Sequence, residues 1–125
     1  MTEKSKHLKL GEEGESIARS YLIKHGYKIL ATNWGYQKGE IDIIATIDDY
    51  IVFVEVKSRS SYYFGDPEES IGKKKLRMLF DTADRFMQVR EIALEARFDV
   101  ISVVFHGETW TIEHIPDAYY PFMNT

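Results

Sequence analysis

Four charged side chains fall within two adjacent segments that have the composition of β-strands, Glu40 and Asp42 in the first and Glu55 and Lys57 in the second. Carboxylates suit Mg²⁺, which commonly binds one or two of them together with water and substrate phosphate. A bound Mg²⁺ lowers the pKa of its water and polarises a phosphoryl oxygen, and a nearby lysine can orient that water. The residue types therefore predict Mg²⁺- or Mn²⁺-dependent phosphodiester hydrolysis, in which Asp42, Glu55 and Lys57 are catalytic and both acids bind the metal.

The spacing of these residues determines whether they can meet. Residues 40–47 and 50–58 are rich in β-branched side chains and flank a short polar turn at Asp48-Asp49. A turn centred there pairs Asp42 with Glu55 and Glu40 with Lys57, and alternation along each strand puts all four on one face. The other face is predicted to pack on the core through the apolar residues Ile41, Ile43, Val54 and Val56. Directly opposed carboxylates destabilise a hairpin, and a divalent cation between them would remove that penalty.

An exposed sheet face explains the same spacing without any metal. Glu40 and Lys57 would then form a surface ion pair worth ~0–1 kcal/mol, and Asp42 and Glu55 would be solvated. The pattern alone leaves both interpretations open.

The rest of the chain supplies elements that can hold this hairpin. Apolar spacing predicts a helix over 12–25, ended by Gly26, and a second helix from Pro67 to about Arg90. Five strands are predicted, over 27–33, 40–47, 50–58, 97–105 and 109–115, with a loose lead-in at 1–9, a connection at 34–39, a loop at 59–67 and a tail from 116. The order αβββαββ indicates an α/β fold with a mixed sheet flanked by helices, because the second helix can set the fourth strand parallel to a neighbour.

Composition limits the class of protein. A chain of 125 residues with 44% hydrophobic and 29% charged residues fits one globular domain spanning 1–125. The net charge of −4 means that nucleic-acid binding would need a local basic patch. The absence of cysteine excludes disulfides and thiolate metal sites. No apolar run approaches the ~20 residues of a membrane helix, and the polar N-terminus lacks a signal-peptide pattern, so we expect a cytoplasmic protein without membrane association.

A basic cluster is a candidate for the required patch. Its members are Arg59, Lys73, Lys74, Lys75 and Arg77, which would concentrate positive charge near the acidic residues. Contact with the phosphates of a nucleic acid is one interpretation, and a solvated helix face is the other. Tyr62, Tyr63 and Phe64 could stack on unpaired bases, although local packing is the favoured interpretation for them.

Several motifs together resemble a known family. They are GEIDIIA at 39–45, VFVEVKSR at 52–59 and FG at 64–65, with GEEGE at 11–15 upstream and PE at 67–68, RFDV at 97–100 and IEHI at 112–115 downstream. The chain resembles, over essentially its whole length, the YraN-like family of uncharacterised bacterial proteins. That family is assigned by similarity to the restriction-endonuclease-like fold, with its three-layer core, near the Holliday junction resolvases.

The resemblance implies a PD-(D/E)-x-K site. Asp42 matches the first acid, Glu55 the second and Lys57 the lysine, while Glu15 matches a further metal-binding Glu on the N-terminal helix of the resolvases. Ile41 stands where the motif name has proline, which departs from the wider motif but fits the YraN-like pattern.

Two functional hypotheses follow from the resemblance. The first is a Mg²⁺- or Mn²⁺-dependent endonuclease acting on DNA, including branched or damaged DNA. The second is a nucleic-acid-binding module of the same fold that has little or no activity without a partner. A resolvase-like role would also require a two-fold homodimer.

Overall fold

The computed structural model describes residues 3–61 and 72–119. The elements are α1 (Glu3–Lys24), β1 (Lys28–Tyr36), β2 (Gly39–Ile47), β3 (Tyr50–Ser60), α2 (Lys73–Val89), β4 (Glu95–His106) and β5 (Thr109–Ile115). The predicted order αβββαββ is confirmed. Within the described residues, no helix is both long enough and apolar enough to cross a bilayer.

The strands form one mixed sheet in which spatial order follows chain order, β1-β2-β3-β4-β5. Three neighbouring pairs are antiparallel, and only β3 and β4 are parallel. That parallel pair needs a crossover connection, and α2 lies within it. The predicted α/β class with a mixed sheet is therefore confirmed.

The two helices cover opposite faces of the sheet and make a three-layer core. Ala18 and Leu22 of α1 are fully buried against a set that includes Ile43 and Val52. The next residues along the same strands, Ile44 and Phe53, point the other way and pack with Leu76, Ala83 and Phe86 of α2. Because successive side chains of a strand point to opposite faces, the sheet has two apolar faces, one under each helix.

The β2–β3 hairpin keeps the predicted register near its turn and loses it near the acids. Ladder pairs run from Ile47↔Tyr50 to Ile43↔Val54, and the ladder ends there. The predicted pairing of Asp42 with Glu55 and of Glu40 with Lys57 is therefore wrong as a backbone register.

A side-chain contact takes the place of the missing ladder pair. The Asp42 carboxylate accepts the Val56 N–H at 2.8 Å, so a side-chain oxygen replaces a main-chain carbonyl as the acceptor. Beyond this point Ile41 packs in the α2-side cluster rather than with Ile43 as predicted. The strict alternation of β2 is thus broken at Asp42.

Several element bounds differ from the sequence prediction. The segment 3–9, predicted as a loose lead-in, is helical, because Lys and Glu sustain a helix without any apolar period. Strand β1 continues to Tyr36 because its pairing with β2 extends to Tyr36↔Gly39. Helix α2 begins at Lys73 after an extended Gly72. The predicted helix start at Pro67 and the aromatic residues 62–64 lie outside the described residues.

Candidate active site

Asp42 and Glu55 line one open cavity of about 280 Å³, between the β2–β3 strands and α2. Glu40 adds a third carboxylate to the lining, and Lys38 and Lys75 add two amines. Apolar side chains complete the wall, namely Ile41, Val54, Met78 and Leu79. The sequence predicted that the acids share a face, and the structure brings them together around a space that solvent can enter.

The Asp42 carboxylate lies within range of the charges of three other acids. Burial raises the pKa of Asp42, and the negative charges of Glu15, Glu55 and Glu40 raise it further, while the hydrogen bond from the Val56 N–H lowers it. The net effect brings the pKa of Asp42 from its ordinary value of 3.8 to about 6. Acids from α1, β2 and β3 therefore repel one another here, and a cation at this point would relieve that repulsion.

Glu55 is held by two partners that come from different elements. The Tyr119 hydroxyl donates a hydrogen bond to Glu55 Oε2 at 2.7 Å, and Lys75 Nζ lies 3.5 Å from Oε1. Burial raises the pKa of Tyr119, and the adjoining Glu55 carboxylate raises it further, so this hydroxyl stays protonated as a donor. Lys75 is 65% exposed, which makes its ion pair the weaker of the two contacts.

Tyr119 is a site residue that the sequence did not predict, because the residues from 116 onward carry no pattern of a helix or strand and were predicted to be a tail. The main chain ties this segment to β4 through the Ala118 N–H, which donates to the Phe98 carbonyl at 2.8 Å. The Asp117 N–H also donates to the Asp99 carboxylate, at 3.2 Å. A tyrosine in a short segment without helix or strand periodicity gives no local signal that it turns back under the sheet.

The anchor for that segment is a buried ionic cluster on the α1 side of the sheet. The Asp99 side chain is fully buried and accepts hydrogen bonds from Arg97 at 3.0 and 2.8 Å, and it lies 2.7 Å from His114 Nε2. Burial would raise the pKa of Asp99, but the hydrogen bonds to His114 and Arg97 outweigh it and leave that pKa below its usual value. The cluster fixes β4 to β5 and, through Asp117, orients the segment that carries Tyr119.

Glu15 lies on α1, the helix that covers the other face of the sheet from α2. It is half-buried on α1, where its Oε1 accepts a hydrogen bond from Asn33 Nδ2 at 2.7 Å. The adjacent Gly14 is buried, and any Cβ there would overlap the Ser58 hydroxyl. This close contact of α1 with β3 brings Glu15 near enough for its charge to act on Asp42.

The predicted cations divide into those at the cavity and those away from it. Lys57 is half-buried two residues beyond Glu55 and on the same side of β3 by alternation, yet it does not line the cavity. Arg59 is half-buried farther along the same strand. The remaining members of the basic cluster lie exposed on the first turns of α2, namely Lys73, Lys74, Lys75 and Arg77, and of these only Lys75 lines the cavity.

The donor chemistry of the cavity fits a hard divalent cation. Within residues 3–61 and 72–119, no three His, Cys, Asp or Glu side chains are already gathered closely enough to hold a metal ion. Mg²⁺ does not need such a set, because one or two carboxylates with waters and substrate phosphate complete its shell. Asp42 and Glu55 would supply those carboxylates, and Glu15 of α1, whose charge acts on Asp42, could add a third.

Comparison with known proteins places the chain among bacterial relatives of similar length. A family model described as "Uncharacterised protein family UPF0102" matches residues 14–103. A UPF0102 protein from Parabacteroides distasonis is 42% identical over 111 residues, which are 89% of this chain and 92% of the relative. One from Geobacter metallireducens is 45% identical over 88% of this chain and 91% of its own length. One from Myxococcus xanthus is 39% identical over 87% of both chains.

Proposed function

The chain belongs to the uncharacterised protein family UPF0102, the YraN-like family that its motifs resemble, and from the chemistry of its acidic cavity we propose that it is a Mg²⁺- or Mn²⁺-dependent DNA endonuclease. The reaction would be hydrolysis of a phosphodiester bond, with branched or damaged DNA among the substrates. Asp42 and Glu55 would bind the metal, Glu15 would add a ligand, and Lys57 would act on the attacking water.

The observation that carries the proposal is the raised pKa of Asp42 at the open cavity. A carboxylate whose pKa rises to about 6 beside three further acids is costly for the metal-free fold. Residues with such perturbed pKa values concentrate in functional sites, because catalysis requires charges that stability alone would not place together. The cavity is also open, so a phosphate can reach the acids.

The chain's own residues divide the work of such a reaction. When bound, the metal would supply an activated water and a polarised phosphoryl oxygen. The Tyr119 hydroxyl fixes the direction of the Glu55 carboxylate, and the Val56 N–H fixes that of Asp42. Lys75 and Lys38 supply positive charge at the cavity for a phosphate oxygen. Lys57, beyond Glu55 on the same strand face, would orient the water or offset charge on the leaving oxygen.

The direct test is cleavage of supercoiled, linear and branched DNA with EDTA, Mg²⁺ or Mn²⁺. We expect divalent-dependent products that fall by at least ~100-fold in Asp42→Asn, Glu55→Gln and Lys57→Ala, the size typical for loss of a transition-state contact. Glu108→Gln, an exposed acid in the β4–β5 turn, is the matched control and should cleave as wild type does. Equal cleavage by wild type and Asp42→Asn would identify a contaminating nuclease and refute the proposal.

A second candidate function is binding of nucleic acid without hydrolysis. It is favoured by the state of Glu55, both of whose oxygens already have partners in Lys75 and Tyr119. In that case DNA binding would persist in Glu55→Gln, and wild type would yield no product with either metal. Saturable binding together with no cleavage would replace the first function with the second.

A further inference from the structure

A second cavity of about 300 Å³ adjoins the acidic one. The two share Lys38, Gly39 and Met78, so they lie side by side between the β1–β2 turn and α2, and we call the two adjoining cavities together the groove. Gly39 lies where the two cavities adjoin, and it packs so tightly against α2 that any Cβ there would overlap the Thr82 hydroxyl. The groove begins at Asp42 and Glu55 and ends at Tyr36 and Gln37.

The chemistry of the groove changes along its length. The acidic end carries three carboxylates, whereas the far end is lined by an aromatic ring, an amide, a thioether and the Thr82 hydroxyl, together with one lysine and one aspartate, Lys38 and Asp81. The Tyr36 ring is held in place by two contacts: the Arg85 guanidinium lies 5.4 Å from its centroid, and the Gln37 amide donates to its hydroxyl at 3.3 Å. Such a surface suits a flat, neutral, hydrogen-bonding group rather than a phosphate.

Size decides which part of a nucleic acid can enter. A cavity of about 300 Å³ is at the lower end of the range for small-molecule sites and suits a single flat base. A base that is stacked and paired within a duplex has to leave the stack before it can enter such a cavity. Aromatic side chains beside a charged track are also the common means of binding single strands, because every base offers a π-face.

We propose that the Tyr36 end of the groove binds the base of an unpaired nucleotide next to the phosphate that lies at Asp42 and Glu55. This inference rests on the proposed nuclease function and names its substrate class, DNA with an unpaired strand at the cleavage point. A fully paired duplex would have to expose a base before its backbone could reach the acids.

Binding, rather than cleavage, tests this assignment. Fluorescence anisotropy with a labelled single-stranded oligonucleotide, and with the same strand in a blunt duplex, is measured at fixed salt in Ca²⁺, which takes the same oxygen ligands as Mg²⁺. We expect Tyr36→Leu to weaken single-strand binding about 5- to 150-fold, the range that one lost base–aromatic stack produces. Binding of the duplex should change by less than about twofold.

Two variants separate stacking from general damage to the fold. Tyr36→Phe keeps the ring and should bind the single strand as wild type does. Tyr50→Leu is the matched control, since Arg97 lies over the Tyr50 ring at the same 5.4 Å but Tyr50 lies outside the groove. Thermal melting of each variant confirms that it is folded at the assay temperature.

Each outcome bears on the assignment separately from the nuclease proposal. Equal losses for single strand and duplex, an unchanged Tyr36→Leu variant, or no saturable single-strand binding by wild type would each overturn it. If Tyr36→Leu leaves single-strand binding intact while divalent-dependent cleavage still requires Asp42, the nuclease function stands and only the base site is wrong. If Tyr36→Leu weakens the single strand alone but no variant alters cleavage, the groove binds unpaired DNA and the hydrolytic function fails.

Discussion

Replacing Asp42 with asparagine should stabilise the metal-free protein near neutral pH, although it removes a carboxylate from the proposed metal site. The amide keeps an oxygen that can accept the Val56 N–H. It also removes the negative charge that burial and the neighbouring Glu15, Glu55 and Glu40 disfavour. The substitution therefore retains the hydrogen bond and abolishes the repulsion.

The sign and the size follow from proton linkage. Asp42 has a pKa of about 6 in the folded protein and about 3.9 in the unfolded chain. Because the folded pKa is the higher one, the stability that its proton contributes is fully present below pH 4 and is lost as the pH rises through 6. The full difference of about two pKa units corresponds to about 3 kcal/mol. Between pH 5 and pH 8 the folded group loses its proton, whereas the unfolded group is already ionised. Over this interval the free energy of unfolding therefore falls by the equivalent of about one pKa unit, or ~1.4 kcal/mol.

The assay is urea denaturation of wild type and Asp42→Asn at pH 5 and pH 8 in EDTA. We expect the free energy of unfolding of Asp42→Asn, relative to wild type, to rise by ~1.4 kcal/mol over that interval, a melting difference of roughly 4–7 °C for a domain of this size. Asp81→Asn, an exposed acid on α2, controls for loss of a surface charge. A constant difference between pH 5 and pH 8, or one that favours wild type at pH 8, would refute the account of Asp42.

Further expectations concern the metal, the helix contact and the ionic cluster. Saturating Mn²⁺ should raise the melting temperature of wild type but not of Asp42→Asn, because only the former binds the ion in the folded state. Gly39→Ala should cost about 1–3 kcal/mol in urea denaturation, because its Cβ meets Thr82 and the Met78 carbonyl. Adding Thr82→Ala should recover part of that loss, whereas additive losses would contradict the contact. Asp99→Asn should cost ~3–5 kcal/mol, because it leaves the Arg97 guanidinium without its buried partner, and a loss below ~1 kcal/mol would show that the cluster is solvated.

The β2–β3 hairpin shows which part of its register the local sequence pattern could predict. Its turn and its register from Ile43 to Val54 follow from two apolar strands joined at Asp48-Asp49, because only one register buries both apolar faces. The pattern could not predict that pairing stops at Asp42, since the cause is a carboxylate that competes for the Val56 amide. A side chain that replaces a main-chain acceptor leaves no trace in hydrophobic periodicity.

The local sequence pattern also could not predict which side chains contact the two acids. The spacing of Asp42 and Glu55 predicted that they share a space, and they do. It did not predict that Lys75 and Tyr119 would hold Glu55, because both come from elements distant in sequence. The basic cluster was predicted as one patch, but only its Lys75 reaches the cavity, because helical geometry turns successive residues of α2 to different sides.

The sequence by itself determined the order of elements, the two apolar faces of the sheet and the pair of acids on neighbouring strands, because these depend on local periods of two and 3.6 residues. Only the tertiary structure decided that Glu15 acts on Asp42 from across the sheet, that Tyr119 returns to fix Glu55, and that a second cavity lined by Tyr36 adjoins the cavity of the acids. The physical reason is that burial, charge repulsion and cavity shape depend on side chains far apart in the chain. No local pattern records which of those side chains become neighbours.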